Sequence, residues 1–295
     1  MDVVRFNESA PLLRRPVLLA AFTGWNDAGE CASSALDTLG IETGAVPFAD
    51  VDPEEFFDFQ VTRPTVHELA SGQRALEWPS NRFSWAGLPG TDRDLVLLAG
   101  TEPNLRWHTF TQAVLDLVDR LDIELVITLG ALQVDVPHTR PTPLSGSSTD
   151  PELAKRIGLP RTGYEGPTGI TGVLHQAVAD AGVPGISLWA GVPHYLAGAT
   201  FAAGTLALAE AVVDLLDADV SLDELARDAI TQRDEIAELV DDDEELSRYV
   251  TELEDRMDAA PDEEAGFTET ELPAPDMSGD ELAAELERYL RDRDR

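Results

Sequence analysis

Residues 16–29 of the chain read PVLLAAFTGWNDAG, a continuous apolar run followed by a glycine and a polar triplet. An apolar run without polar alternation predicts a strand covered on both faces, which is typical of parallel sheets. The glycine suits a tight turn, and Asn26 and Asp27 are residue types preferred at the start of a helix. The stretch therefore predicts a strand, a turn and a helix in succession, the repeating unit of an α/β fold.

The same alternation continues as far as residue 218. Apolar runs and aromatic segments predict strands at residues 16–23, 56–62, 81–86, 94–100, 124–129 and 185–190. Helical spacing of apolar residues predicts helices at residues 28–39, 104–121, 171–181 and 199–216. The segment 50–92 is typical of a β-hairpin or a local antiparallel extension. Together these elements predict a three-layer α/β sandwich with a mainly parallel central sheet.

The charge balance argues against two broad classes of partner. The chain has 295 residues, with 56 Asp and Glu against 21 Lys and Arg, and a formal net charge of -35. Nucleic acids and anionic membrane surfaces both require a basic face, which this composition does not supply. The sequence also lacks an apolar stretch of the roughly 20 residues that a transmembrane helix needs. We therefore expect neither a nucleic acid nor a membrane among the partners.

The cysteine content predicts the cellular compartment. Cys31 is the single cysteine, so the chain cannot form an internal disulfide framework or a cysteine-based zinc cluster. Such sparing use of cysteine is typical of proteins in the reducing cytoplasm. The sequence therefore predicts a cytoplasmic location.

The last quarter of the chain differs from the rest in charge. Residues 219–295 carry 28 acidic residues and 8 arginines, a net charge of -20, which is more than half of the total. We interpret residues 1–218 as an α/β core domain and residues 219–295 as an acidic helical extension.

Within this extension the pattern predicts helices and a linker. Ser221 and Glu224 have the spacing of a capping box, and the apolar positions after them predict two helices, or one helix broken at the acidic run 241–245. Residues 261–276 are rich in proline and acids and predict a linker. A short terminal helix follows from Ser278, with one apolar face formed by Leu282, Leu286, Tyr289 and Leu290. The extension is either a solvated appendage or an arm that binds its own oligomer or a partner.

Polar residues gather where the predicted strands end and the helices begin. In α/β proteins such positions often line ligand sites, because the carboxyl ends of parallel strands meet at one edge of the sheet. Eight side chains are candidates for one pocket at this edge: Trp25, Asn26, Asp27, Glu102, His138, Arg140, Glu165 and His194. Structural alternatives exist, since Asp27 is a suitable helix cap and a histidine beside proline and tyrosine is more often packed than catalytic.

Several common catalytic and metal-binding patterns are absent from the sequence. No Gly-x-Ser-x-Gly segment marks a hydrolase nucleophile. Cys31 follows Asp27 and Glu30, whose negative charges oppose a reactive thiolate. The five histidines show no i, i+4 pair of the kind that binds a metal on a helix. We therefore expect no metal and no cofactor, and the sequence favours a role other than catalysis.

Five blocks, taken in order along the chain, resemble a known family. They are GWNDAGE…SSAL from Gly24, LLAGTEPNLRW from Leu97, VDVPHTRP from Val134, YEGPTGITGVLH from Tyr164 and SLWAGVPHYLA from Ser187. These blocks look like the proteasome assembly chaperone 2 family, above all its actinobacterial branch, over roughly residues 1–215. The resemblance implies a fold like that of nucleoside phosphorylases and hydrolases and a homo-oligomer, with a trimer favoured. It implies no catalytic residues, because the family has no established ones.

Two hypotheses from different functional classes remain. The first is an oligomeric scaffold or assembly-chaperone-like protein that binds a protein partner such as a proteasome component. The family resemblance and the absence of nucleophile motifs favour it. The second is an enzyme or binding protein for a small molecule, nucleoside-like or phosphorylated, which would use the eight polar residues as a pocket at the carboxyl ends of the strands.

Overall fold

The computed structural model describes residues 3–7, 10–69, 71–160 and 165–259. Its strands are β1 (Val4–Phe6), β2 (Val17–Thr23), β3 (Val46–Val51), β4 (Thr65–Glu68), β5 (Arg74–Glu77), β6 (Asn81–Gly87), β7 (Asp94–Thr101), β8 (Leu125–Val134), β9 (Leu144–Ser148) and β10 (Gly185–Pro193). Its α-helices are α1 (Cys31–Thr43), α2 (Trp107–Arg120), α3 (Pro151–Ile157), α4 (Ile170–Asp180), α5 (Ala202–Leu216), α6 (Asp223–Asp241) and α7 (Glu244–Ala259).

Eight of these strands form one sheet in the order β1-β3-β6-β7-β2-β8-β10-β9. The central strands β7, β2, β8 and β10 run parallel to one another, whereas β6, β3 and β1 on one side and β9 on the other pair antiparallel. The predicted α/β sandwich with a parallel centre is confirmed. The sheet as a whole is mixed, because antiparallel strands extend both of its edges.

The strand β2 shows how the apolar runs build two cores. Successive side chains point to opposite faces of a strand. Val17 and Leu19 are buried in the cluster that contains α1 and α5, whereas Leu18 and Ala20 are buried in the cluster that contains α2 and α4. The sheet is thus covered by helices on both faces, and this is why its central strands have no polar alternation.

Helices α6 and α7 continue the layer formed by α1 and α5. Ile236, Val240 and Val250 are buried in the same apolar cluster as those two helices. A break at residues 242–243 separates α6 from α7, and the Asp243 carboxylate accepts hydrogen bonds from the first amides of α7. The prediction of two helices is confirmed. The linker predicted for residues 261–276 and the terminal helix predicted from residue 278 lie outside the described residues.

The structure corrects the sequence-based prediction around residues 46–62. The strand predicted at 56–62 is wrong, because Phe56 and Phe57 are buried under the sheet and the segment forms turns. The carbonyl oxygen of Phe56 accepts the amide hydrogens of Asn104 and Leu105, so the segment is hydrogen-bonded to a loop. The unpredicted β3 lies just before it, and the hairpin predicted within residues 50–92 is confirmed by β4 and β5.

Candidate functional site

Asp27, one of the predicted pocket residues, caps the first helix. One carboxylate oxygen accepts the amide hydrogens of Ala32 at 2.8 Å and Ser33 at 3.1 Å, and the other accepts the Ser33 hydroxyl at 2.5 Å. These amides belong to the first turn of α1, where the backbone donors have no partner within the helix. Burial raises the pKa of Asp27, although the three hydrogen bonds lower it in part. The side chain therefore holds the turn between β2 and α1 in place.

Glu102 caps α4, a helix that is distant from it in sequence. Its Oε1 accepts the amide hydrogen of Ile170, the first residue of α4, at 2.8 Å. A carboxylate at a helix N-terminus also interacts favourably with the helix dipole. Glu102 follows β7 directly, so this contact joins the carboxyl end of a central strand to the start of α4.

Asn26 lies in the same cluster. A Cβ atom built on Gly169 would lie 2.0 Å from Asn26 Oδ1 and 2.5 Å from Glu102 Oε1, so only glycine fits between them. Asn26 is buried, its Oδ1 has no hydrogen-bond partner, and its carbonyl oxygen accepts the Ala131 amide of β8 at 2.8 Å. The structure thus brings Asn26, Asp27 and Glu102 together at the ends of β2 and β7. We call these three residues the strand-end cluster.

Arg140 belongs to a second cluster, which contacts α7. Its guanidinium donates to both carboxylate oxygens of Asp258, at 2.9 and 2.7 Å, and to Glu254 at 3.1 Å. The two acidic residues raise the pKa of Arg140, and the guanidinium lowers the pKa of Asp258. Thr139 donates to Glu254 beside them. The loop after β8 is therefore clamped to the last turns of the described chain.

The two candidate histidines lie in this second cluster. The ring of His194 packs edge-on against Tyr249 of α7, with ring centroids 5.4 Å apart, and its Nδ1 lies 3.2 Å from Asp135. His138 is buried, and its Nδ1 and its amide nitrogen lie 2.8 and 2.7 Å from the hydroxyl oxygen of Tyr195. Burial lowers the pKa of His138 and raises that of Tyr195 to about 12. Both histidines are packed among aromatic side chains, and we call this group with Arg140 the α7-contact cluster.

The structure places the eight predicted residues in more than one part of the fold. Three form the strand-end cluster and three form the α7-contact cluster, while Glu165 is exposed and the Trp25 side chain is 58% exposed. The carboxylates and the arginine act locally, as helix caps and in ion pairs. Sequence reasoning missed Tyr195, Tyr249 and Glu254, because no spacing in the sequence predicts that α7 contacts the loop after β8.

Two of the concave surfaces formed by the described residues have volumes of about 660 Å³ or more. The larger, which we call the α5–α6 groove, has a volume of about 780 Å³ and lies between the loop after β8, α3, α5 and α6. His138 and Arg140 line one end of it, and most of its other lining residues are apolar.

The second, which we call the hairpin pocket, has a volume of about 660 Å³ and lies between the β4–β5 hairpin, α1 and the ends of β2 and β7. Hydroxyl groups dominate its wall, among them those of Thr23, Ser33 and Thr101. Arg63 and Arg82 supply positive charge, and Asp37 and Glu77 supply an equal negative charge. None of the eight predicted residues lines this pocket.

An apolar surface lies on the outside of the same hairpin. Val66 and Leu76 are cross-strand partners and therefore lie side by side on one face. Both side chains are exposed. We call these two residues the hairpin patch. An isolated two-stranded hairpin is marginally stable in water, and an exposed contiguous apolar surface often marks an interface.

The described part of the chain contains neither a metal-binding cluster nor a membrane-spanning helix. Within residues 3–7, 10–69, 71–160 and 165–259, no group of three or more His, Cys, Asp and Glu side chains could hold a metal ion. No helix in those ranges is both long and apolar enough to cross a bilayer.

Comparison with known proteins identifies the family. The model of the PAC2 family matches residues 21–240. A PAC2 family protein from Streptomyces avermitilis is 47% identical, with a TM-score of 0.74 and coverage of 80% of this chain and 99% of that one. A proteasome-assembly chaperone homologue from Mycobacterium tuberculosis is 44% identical, with a TM-score of 0.73 and coverage of 79% and 99%.

A more distant structure shares the fold. An archaeal proteasome activator from Pyrococcus furiosus is 19% identical, with a TM-score of 0.65 and coverage of 81% of this chain and 99% of that one. No curated protein matches the sequence. The family model matches well over half of the chain, and the actinobacterial structures match over most of their length. The chain belongs to the PAC2 family.

Proposed function

We propose that the chain is an oligomeric scaffold of the assembly-chaperone type that binds a protein partner, with a proteasome component as the favoured partner. The names of two similar proteins support this, since one is a proteasome-assembly chaperone homologue and the other a proteasome activator. We favour a cytoplasmic homotrimer as the working form. Residues 1–218 would supply the family core and residues 219–295 the acidic extension.

The hairpin patch is the observation that carries the proposal. Leu76 is 57% exposed on a two-stranded hairpin that lies outside the main sheet. Glu68 lies opposite Arg74, so these two charges offset each other beside the patch. In a chain of net charge -35, this offset lowers the repulsion between copies that approach there. The patch therefore suits self-association, and the resulting oligomer would present the acidic extensions to a basic partner surface.

The oligomer is tested by sedimentation of a matched pair of variants. Leu76→Ser removes an apolar side chain from the hairpin patch, whereas Ala75→Ser changes the other face of the same strand. The wild type and Ala75→Ser should have a mass three times the 31.9 kDa of one chain, and Leu76→Ser should dissociate at a higher concentration. A wild-type monomer, or equal association of both variants, would count against the hairpin patch as the interface.

The partner is tested by coexpression with the proteasome subunits of the organism that encodes the chain. A stoichiometric complex with unassembled subunits supports the proposal. Separate elution from both assembled and unassembled subunits refutes it. Because the extension is acidic, the complex should weaken as the salt concentration rises.

The hairpin pocket favours a second candidate function, binding of a nucleoside-like or phosphorylated small molecule. Its hydroxyl groups and the side chains of Arg63 and Arg82 could bind sugar hydroxyls and phosphate oxygens. A thermal-shift screen with nucleosides, nucleotides and phosphate tests this, because a ligand at 100 times its Kd stabilises the native state by about 2.7 kcal/mol. A shift that Arg63→Gln abolishes supports the pocket, and no shift with any compound removes this candidate.

A further inference from the structure

The α5–α6 groove leaves apolar surface open to solvent. Its lining includes Leu144, Ile157, Leu188, Leu206, Ala207 and Ile230. The last of these is 53% exposed although it lies beside the core. A groove of about 780 Å³ with such a lining is the size and character of a site for an apolar helix face or a ligand.

The described chain ends at the rim of this groove. Asp258, the penultimate residue of α7, is bonded through both carboxylate oxygens to Arg140, and Arg140 lines the groove. The 36 residues that follow Ala259 therefore start beside its mouth. About 20 residues separate Ala259 from the first apolar residue of the predicted terminal helix, and an extended chain spans at most about 3.5 Å per residue. The terminal segment can thus reach every part of the groove.

The chemistry of residues 278–290 matches that of the groove. Helical spacing places the apolar side chains of this segment on one face, formed by Leu282, Leu286, Tyr289 and Leu290. Glu285 and Glu287 flank that face on its two sides. The groove has an apolar floor. Its charged lining residues are three arginines, Arg140, Arg156 and Arg233, and two acids, Glu210 and Asp214. Arg140 and Arg156 are already paired with Asp258 and Asp217, so the apolar floor carries the match. A helix of 13 residues is about 20 Å long, which is the scale of α5 along the groove.

From this juxtaposition we propose that the α5–α6 groove is the docking site of the chain's own residues 278–290, bound as an amphipathic helix with the leucines against the floor. Docking would cover the apolar side chains of Ile230 and Leu206.

Hydrogen–deuterium exchange of the full chain tests the proposal with two matched pairs. Leu286→Asn changes the docking face, and Ala284→Asn changes the opposite face of the same helix. Ile230→Asn changes the groove, and Leu239→Asn changes an exposed leucine of α6 that does not line it. Amides of residues 282–290 should be protected in the wild type and should exchange about tenfold faster in Leu286→Asn and Ile230→Asn. Both controls should match the wild type.

Two results would overturn this inference. One is exchange of residues 282–290 at the rate of an unstructured peptide in the wild type, and the other is an equal effect of a variant and its control. A disulfide experiment then decides which chain provides the helix. In Ile230→Cys/Leu286→Cys, mild oxidation should produce a cross-linked monomer, since Cys31 is buried and does not compete. A cross-linked dimer would show that the helix of a neighbouring copy occupies the groove. Absence of any cross-link would show that residues 278–290 do not bind there. Either result refutes the proposal.

Discussion

Because Asp27 caps α1, its replacement should lower the free energy of unfolding by an amount that follows from its hydrogen bonds. Asp27→Ala removes the acceptor for two amide hydrogens and one hydroxyl hydrogen at the start of α1. A buried donor without a partner costs about 1–3 kcal/mol, and replacing a capping Asp by Ala costs about 0.5–2 kcal/mol. Removing the carboxylate also offsets part of this loss, because burial in the folded chain disfavours the charged form and raises the pKa of Asp27. We therefore expect a loss of about 2–3 kcal/mol in the free energy of unfolding.

The informative comparison is with Asp27→Asn. Asparagine keeps one carbonyl oxygen for the amides of Ala32 and Ser33, and the Ser33 hydroxyl can accept from its amide group. The expected loss is about 1 kcal/mol or less. Urea unfolding at pH 7, followed by circular dichroism, measures both variants, with Glu42→Gln at an exposed position of α1 as the control. Equal losses for Asn and Ala, or an Ala variant within about 0.5 kcal/mol of the wild type, would refute the capping assignment.

Three further outcomes are expected. Leu253→Ala should lower the free energy of unfolding by about 3 kcal/mol, because this α7 side chain is 1% exposed and its removal leaves a cavity. Leu239→Ala, at a 62% exposed site, should change that free energy by less than about 0.5 kcal/mol. Equal losses would show that α7 is not packed on the core. Cys31 should react with a thiol reagent at pH 8 only as fast as the protein unfolds, because burial raises its pKa to about 12, and fast labelling of the native chain would contradict this. Burial lowers the pKa values of His138 and His175 in the folded chain. The unfolded state therefore binds protons at these histidines at a higher pH than the folded state does, and stability should fall as the pH drops below about 6.5. The variant His138→Gln/His175→Gln should lose less stability than the wild type between pH 7 and 5.5, and identical curves would argue against buried neutral histidines.

The centre of the fold could be predicted because its signal is local. The strand β2 is apolar at every position from Val17 to Phe22, since both of its faces are covered. The edge strands carry no such signal. β9 reads LSGSS and is a strand only because it pairs with β10, and β3 contains Pro47 and a bulge. Conversely, the aromatic residues Phe56 and Phe57 are typical of a strand, yet they lie in a turn segment and their side chains are buried in the core.

The candidate site shows the same division between local and distant information. The role of Asp27 is readable from the sequence, because its partners lie five and six residues away. Glu102 caps a helix 68 residues later, and Arg140 pairs with a carboxylate 118 residues later. No spacing rule predicts such contacts. Polar residues at strand ends therefore suggested a single ligand pocket, whereas the fold divides them between helix caps and the α7-contact cluster.

The most direct test of the account is the affinity between the purified full chain and the unassembled proteasome subunits of its own organism, measured by isothermal titration calorimetry at low and physiological salt. We expect saturable binding that weakens as the salt concentration rises, and weaker binding by the Leu76→Ser variant. The Ala75→Ser control should bind like the wild type. Absence of binding heat at both salt concentrations, confirmed by independent sedimentation of the mixture as separate components, would contradict the proposed assembly role.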